Sequence, residues 1–132
     1  MKFYDTQGRE YKIDIRPSRW KRKTTGEGRG LYQSQIGELL ANEYPGQTIL
    51  EEFPVPGERL YLDFFLPKKK LAIEVQGDQH HQFNSFFHED KYAFQASQQR
   101  DKRKAKWCQI NGITLIKVDC GTKEEIVLNL LP

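Results

Sequence analysis

Short apolar runs alternate with polar punctuation along this chain, and the spacing of those runs predicts its elements. Phe3-Tyr4 and the alternating Tyr11, Ile13 and Ile15 flank a turn-rich stretch from Asp5 to Arg9, so the start of the chain reads as a β-hairpin. Leu31 to Tyr44 places Tyr32, Ile36, Leu39 and Leu40 at helical spacing and meets a stop at Pro45-Gly46. Thr48 to Pro54, Arg59 to Leu66 and Leu71 to Val75 then read as successive strands of a meander, joined through Pro56-Gly57 and the Lys-rich turn Pro67 to Lys70. Gln76 to Gln95 carries aromatic residues in no clean period and reads as a loop with a helical turn or two. A helix is predicted from Ala96 to the stop at Asn111-Gly112, a last strand over Ile113 to Val118, and a short terminal helix over Lys123 to Leu131. The fold class is α/β or α+β.

Two acids break the apolar strand pattern. Asp63 stands among Tyr61, Leu62, Phe64, Phe65 and Leu66, and Glu74 among Leu71, Ala72, Ile73 and Val75. Period-two alternation puts Asp63 on the face of Tyr61 and Phe65, and Glu74 on the face of Ala72 and Gln76. An unpaired buried carboxylate is costly, so acids set into strands that read as core call for a cation. Asp63, Glu74 and the Gln76 carbonyl, gathered at one end of paired strands, are the hard oxygen donors that Mg²⁺ or Mn²⁺ takes. Just past them come Asp78-Gln79-His80-His81, where an imidazole could move a proton; His80 is the first candidate and His81 stays open beside it.

Composition changes the picture in one respect. The net charge is only +3, but residues 1–30 carry +5, residues 31–97 carry −5 and residues 98–132 carry +3. An acidic middle between basic ends suits a metal-binding pocket within a surface that holds a polyanion, although a solvated charged surface gives the same counts. The basic stretch holds Arg19, Lys21, Arg22, Lys23 and Arg29 around Trp20, which suits phosphate contacts with one stacking ring or, alternatively, a solubilising tether. In the later helix Asp101, Ala105, Cys108 and Gly112 fall at i, i+4, i+7 and i+11, which turns Asp101 inward to orient a histidine or pair with a cation. Lys102, Arg103, Lys104 and Lys106 cover the rest of that helix and would line a phosphate track. Cys108 and Cys120 are too few for a disulfide framework or a zinc site and read as core residues of a reducing compartment. With no apolar run long enough to span a bilayer and no secretory leader in the opening residues, a cytoplasmic setting, in a bacterial or phage-infected cell, is expected.

Leu62 to Pro67 (LDFFLP), Ala72 to His80 (AIEVQGDQH), Arg100 to Lys104 (RDKRK) and Asn111 to Val118 (NGITLIKV) together resemble the PD-(D/E)xK nuclease superfamily. Within it they are similar to the very short patch repair endonucleases and the phage-type EDxHD homing endonucleases. The resemblance implies a restriction-endonuclease-like core over residues 31–132, a mixed sheet flanked by helices, with residues 1–30 as a hairpin and basic arm. It implies Mg²⁺- or Mn²⁺-dependent hydrolysis of DNA, with Asp63 as chief metal ligand, Glu74 beside it, His80 as general base or acid, and Asp101 as the partner of His80. It also implies an upstream helical acid, for which Glu38 is the candidate, with Glu43, Gln35 and Glu51 open, and Phe83, Phe86 and Phe87 as base wedges or as a cap on the core. The chain departs from the superfamily in carrying Gln76 where a lysine is usual, so the histidine has to supply the proton transfer. A nuclease-like module that binds without cutting and a dimeric resolvase of branched DNA are the alternatives.

Overall fold

The computed structural model describes residues 1–15, 31–76, 88–119 and 121–132. The basic stretch from 16 to 30, the segment from 77 to 87 and Cys120 lie outside them, and so do the expectations placed on Arg19, Trp20, Lys21, Arg22, Lys23, Arg29, His80, His81, Phe83, Phe86 and Phe87.

The elements run β1 (Lys2–Tyr4), β2 (Glu10–Lys12), α1 (Leu31–Glu43), β3 (Leu50–Pro54), β4 (Tyr61–Leu66), β5 (Leu71–Gln76), α2 (His88–Ile110), β6 (Thr114–Asp119) and α3 (Glu124–Leu130). The four-stranded sheet has the order β3-β4-β5-β6, with antiparallel pairs up to β5 and a parallel β5–β6 pair that α2 crosses over to make. It is therefore a mixed sheet with helices against it, as the sequence implies. The main departure is α2, which starts at His88, well before Ala96. Its first turns carry few apolar residues, so hydrophobic spacing gives no sign of them.

The core lies on both faces of the sheet. On one face Leu50, Phe53, Leu62, Phe65 and Ala72 pack with Trp107 and Cys108 of α2 and with Phe3 of the hairpin. On the other, Phe64, Leu66, Leu71, Ile73 and Val118 pack with Ile36, Leu39 and Leu40 of α1 and Val127 of α3. Tyr32, which the helical spacing assigns to the packed side of α1, is instead 40% exposed.

The β1–β2 hairpin is built into the first of these clusters. The Phe3 ring centroid lies 5.9 Å from Phe53, 6.0 Å from Phe65 and 5.5 Å from Trp107, and Phe3 is fully buried. Asn111, at the end of α2, accepts a hydrogen bond from the Tyr4 amide at 2.7 Å and donates to the Tyr4 carbonyl at 2.8 Å, which makes it a side-chain substitute for a strand partner. A second tie links the hairpin turn to the β3–β4 connection, where Glu58 accepts from Thr6 Oγ1 at 2.7 Å and from Arg103 of α2 at 3.1 Å. Gly57 in that connection has φ +82°, and a Cβ there would lie 2.8 Å from Asp5 Cβ and from the Tyr11 ring, so only glycine lets the two turns approach this closely.

Asp5 organises the hairpin turn. Its Oδ1 accepts the amides of Gln7 and Arg9 at 2.9 Å each, and its Oδ2 accepts Arg9 Nε at 2.7 Å and the Tyr11 hydroxyl at 3.2 Å. Desolvation pushes the Asp5 carboxyl up, but the bonds from Arg9, Gln7 and Tyr11 together outweigh it and bring its pKa down to about 2.

Two outcomes follow from these contacts. Phe3→Ala should lower the unfolding free energy by about 3–5 kcal/mol in urea denaturation, the range for emptying a buried aromatic site; a loss below about 1 kcal/mol would mean that the hairpin is not part of the cooperative core. Because the folded-state pKa of Asp5 is depressed, its contribution to stability is fully present above the ordinary value of 3.8 and is lost as pH falls toward about 2. Acid denaturation profiles of the native protein and Asp5→Asn should therefore differ in slope in that window and run parallel above it.

Candidate functional site

The β4–β5 ladder pairs Leu66 with Leu71, Phe65 with Ala72 and Phe64 with Ile73, and the next pair in register would be Asp63 with Glu74. That rung is absent, and side chains take its place. The Asp63 amide donates to Glu74 Oε2 at 3.1 Å, and the Val75 amide donates to Asp63 Oδ2 at 2.8 Å. Each carboxylate thus satisfies a backbone N–H that the parting strands leave without a carbonyl, which fixes both acids at the point of separation.

The other edge of β4 is interrupted at the same place. β3 pairs with β4 through Glu51 with Phe64 and Phe53 with Leu62, while Glu52, opposite Asp63, takes φ +53°. This left-handed residue breaks the alternation of both strands. Leu50 and Phe53, three apart, share one face of the sheet, and so do Leu62 and Phe65. Period-two counting, which sets Leu62 opposite Phe65, fails here because the strands turn over at Glu52 and Asp63.

Glu74 is 5% exposed and Gln76 is 7% exposed, while Asp63 is half-buried. Burial, and then the adjacent charge and hydrogen bond of Asp63, push the Glu74 carboxyl up to about 8 against a partial counter-pull from Lys104. Cys108 is a core residue packed into the same region, and its thiol is raised to about 12 by burial and then by the charge of Glu74.

Lys104 of α2 completes the cluster. Its Nζ lies 2.5 Å from Glu74 Oε1 with the side chain only 18% exposed. The contact is one of charge, since Oε1 accepts no well-directed hydrogen bond among the described residues. Among residues 91–110 of α2, those not exposed are Phe94, Ser97, Asp101, Lys104, Trp107 and Cys108, a stripe at helical spacing. Asp101 is on that stripe, as expected, but Ala105 is exposed, and Lys104 takes the inward position in place of a phosphate track. The signal was present: stepping back four residues from Cys108 lands on Lys104.

The remaining candidates are dispersed. Lys102, Arg103 and Lys106 are exposed on α2, with Arg103 drawn toward Glu58. Glu38 and Gln35 are exposed on α1 and line a groove with Ser34, Asn42, Thr122 and Glu124, on the α1 side of the sheet. Glu43 is exposed, and Glu51 is buried and accepts a hydrogen bond from Gln33 Nε2 at 2.8 Å. Among the described residues no group of three Asp, Glu, His or Cys side chains is placed to hold one metal ion, so the structure does not bring Glu38 or Asp101 to the Asp63–Glu74 pair as a third ligand.

No helix among the described residues is long and apolar enough to cross a membrane. No protein-family model matches the chain, and no solved structure matches it. It is similar to the uncharacterized protein 033L of Invertebrate iridescent virus 3, with 43% identity over 105 residues, covering 72% of this chain and 54% of the relative. It is also similar to the uncharacterized protein 307L of Invertebrate iridescent virus 6, with 42% identity over 65 residues and coverage of 49% and 33%. The uncharacterized protein 094L of Frog virus 3 is 38% identical over 72 residues, with coverage of 54% and 46%. The chain thus spans about half or less of the length of these viral relatives.

Proposed function

We propose that this chain is a divalent-metal-dependent endonuclease that hydrolyses DNA phosphodiesters, with its centre at Asp63 and Glu74. The observation that carries the reading is the pair itself: two carboxylates in place of a missing sheet rung, one buried and both fixed by backbone amides. Such a pair suits an ion of charge two, which relieves both the desolvation and the mutual repulsion that hold the Glu74 pKa high. Asp63 and Glu74 would hold Mg²⁺ or Mn²⁺ with the Gln76 side-chain carbonyl beside them. Magnesium is commonly bound through one or two carboxylates, with water and substrate phosphate filling the shell, so a pair without a third acid among the described residues is compatible with it. Bound there, the ion would activate a water and neutralise charge on the phosphate.

The chain's own groups do the rest. His80 follows β5 by four residues and is the group assigned to move the proton; Asp101, inward on α2, is assigned to fix its tautomer. Lys102 and Lys106, exposed on the same helix, supply phosphate contacts together with the basic arm. The competing reading, binding without cleavage, leaves the pair only its structural task of accepting the Asp63 and Val75 amides.

Supercoiled-plasmid nicking tests this. Cutting should require Mg²⁺ or Mn²⁺, stop with EDTA, and fall to background in Asp63→Ala, while His80→Ala should lose about 10²- to 10⁴-fold, the usual range for a general acid or base. Cleavage that persists in EDTA or survives Asp63→Ala defeats the proposal, and DNA binding without any cutting favours the module.

A further inference from the structure

Lys104 stands apart from the other cations of α2. Lys102, Arg103 and Lys106 are exposed, whereas Lys104 is turned inward with its ammonium 2.5 Å from Glu74 Oε1. Both oxygens of Glu74 are thereby occupied, Oε2 by the Asp63 amide and Oε1 by this ammonium. The two contacts differ in kind. The amide bond belongs to the sheet and is directed, while the contact at Oε1 is close but poorly aligned, so that oxygen is neutralised without being well hydrogen-bonded. Oε1 is the Glu74 oxygen without a directed bond, and an ion that approaches it does so against the repulsion of an ammonium at contact distance.

We propose that Lys104 is an internal counter-ion that holds the carboxylate pair in the metal-free protein and gives way when a divalent ion binds. The inference rests on the reading of Asp63 and Glu74 as the metal-binding pair. Lys104 can leave without disturbing the fold, because α2 is anchored next to it by Trp107 and Cys108, both in the core, and by the Asn111 bonds to the hairpin. Its long stem then carries the ammonium outward to water or to a phosphate oxygen. As a positioning residue it offsets the charge of Glu74 before the metal arrives, at the cost of competing with that metal.

The test is binding, read independently of cleavage. Mg²⁺ is titrated into isotope-labelled protein while the Asp63 and Val75 amides and the Lys104 Cε–Hε signals are followed by NMR. All three should shift with one apparent constant. In parallel, Mn²⁺ calorimetry should give at least about tenfold tighter binding for Lys104→Met, since a unit charge beside the ion is removed, and binding near the native value for Lys104→Arg, which keeps the charge. The inference is overturned if the amides shift while Lys104 stays unperturbed, or if Lys104→Met binds Mn²⁺ no more tightly than the native protein. Should Lys104→Met fail to fold, the titration of the native protein still decides. If Mg²⁺ leaves the Asp63 and Val75 amides in place and calorimetry detects no Mn²⁺ binding, the metal reading of the pair falls as well, and the two failures are told apart.

Discussion

The exchange of side-chain for backbone hydrogen bonds where β4 and β5 separate governs the rest of this structure. Sheet strands part only where their amides find other acceptors, and here the acceptors are Asp63 and Glu74. The sheet on one side of the break is an ordinary apolar ladder, Phe64 to Leu66 against Leu71 to Ile73. Beyond it, two acids do the work of a rung, and the fold has to compensate the charge it has enclosed. It does so from α2, and the position of α2 is set by apolar packing: Trp107 and Cys108 dock on the sheet face, and Lys104, one turn earlier, meets Glu74 as a result.

The same packing explains why the N-terminal hairpin matters to a site it does not touch. Phe3 is stacked on Trp107, and Asn111 ties the last residue of β1 to the end of α2. Glu58 joins the hairpin turn, the β3–β4 connection and Arg103. The helix that supplies the cation is thus clamped at several points by a piece of chain that sequence alone sets apart as an arm.

Legibility in the sequence follows the same physical division. Asp63 and Glu74 stood out because acids in strands of Leu, Phe and Ile conflict with the cost of burying charge, and the strands, the first helix and the mixed α and β character followed from ordinary periodicity. The face assignment of Leu62 failed because it depends on a left-handed backbone at Glu52, and glutamate gives no sign of such a turn. The start of α2 is not legible because its opening sequence, His88 to Ala93, has no hydrophobic period to read. Lys104 was misassigned for a related reason: in the run Arg-Asp-Lys-Arg-Lys every position is charged, so only the register imposed by Trp107 and Cys108 decides which cation points inward.

The chain order of these parts has a consequence for biosynthesis. The two acids belong to adjacent strands and emerge from the ribosome close together, whereas Lys104 follows Glu74 by thirty residues and Trp107 comes later still. Until α2 has been made and docked, the two acids lack the Lys104 charge that offsets Glu74 in the folded chain. The open end of the β4–β5 hairpin is thus completed by an element made after it, and β6, paired parallel to β5 beyond α2, closes the crossover.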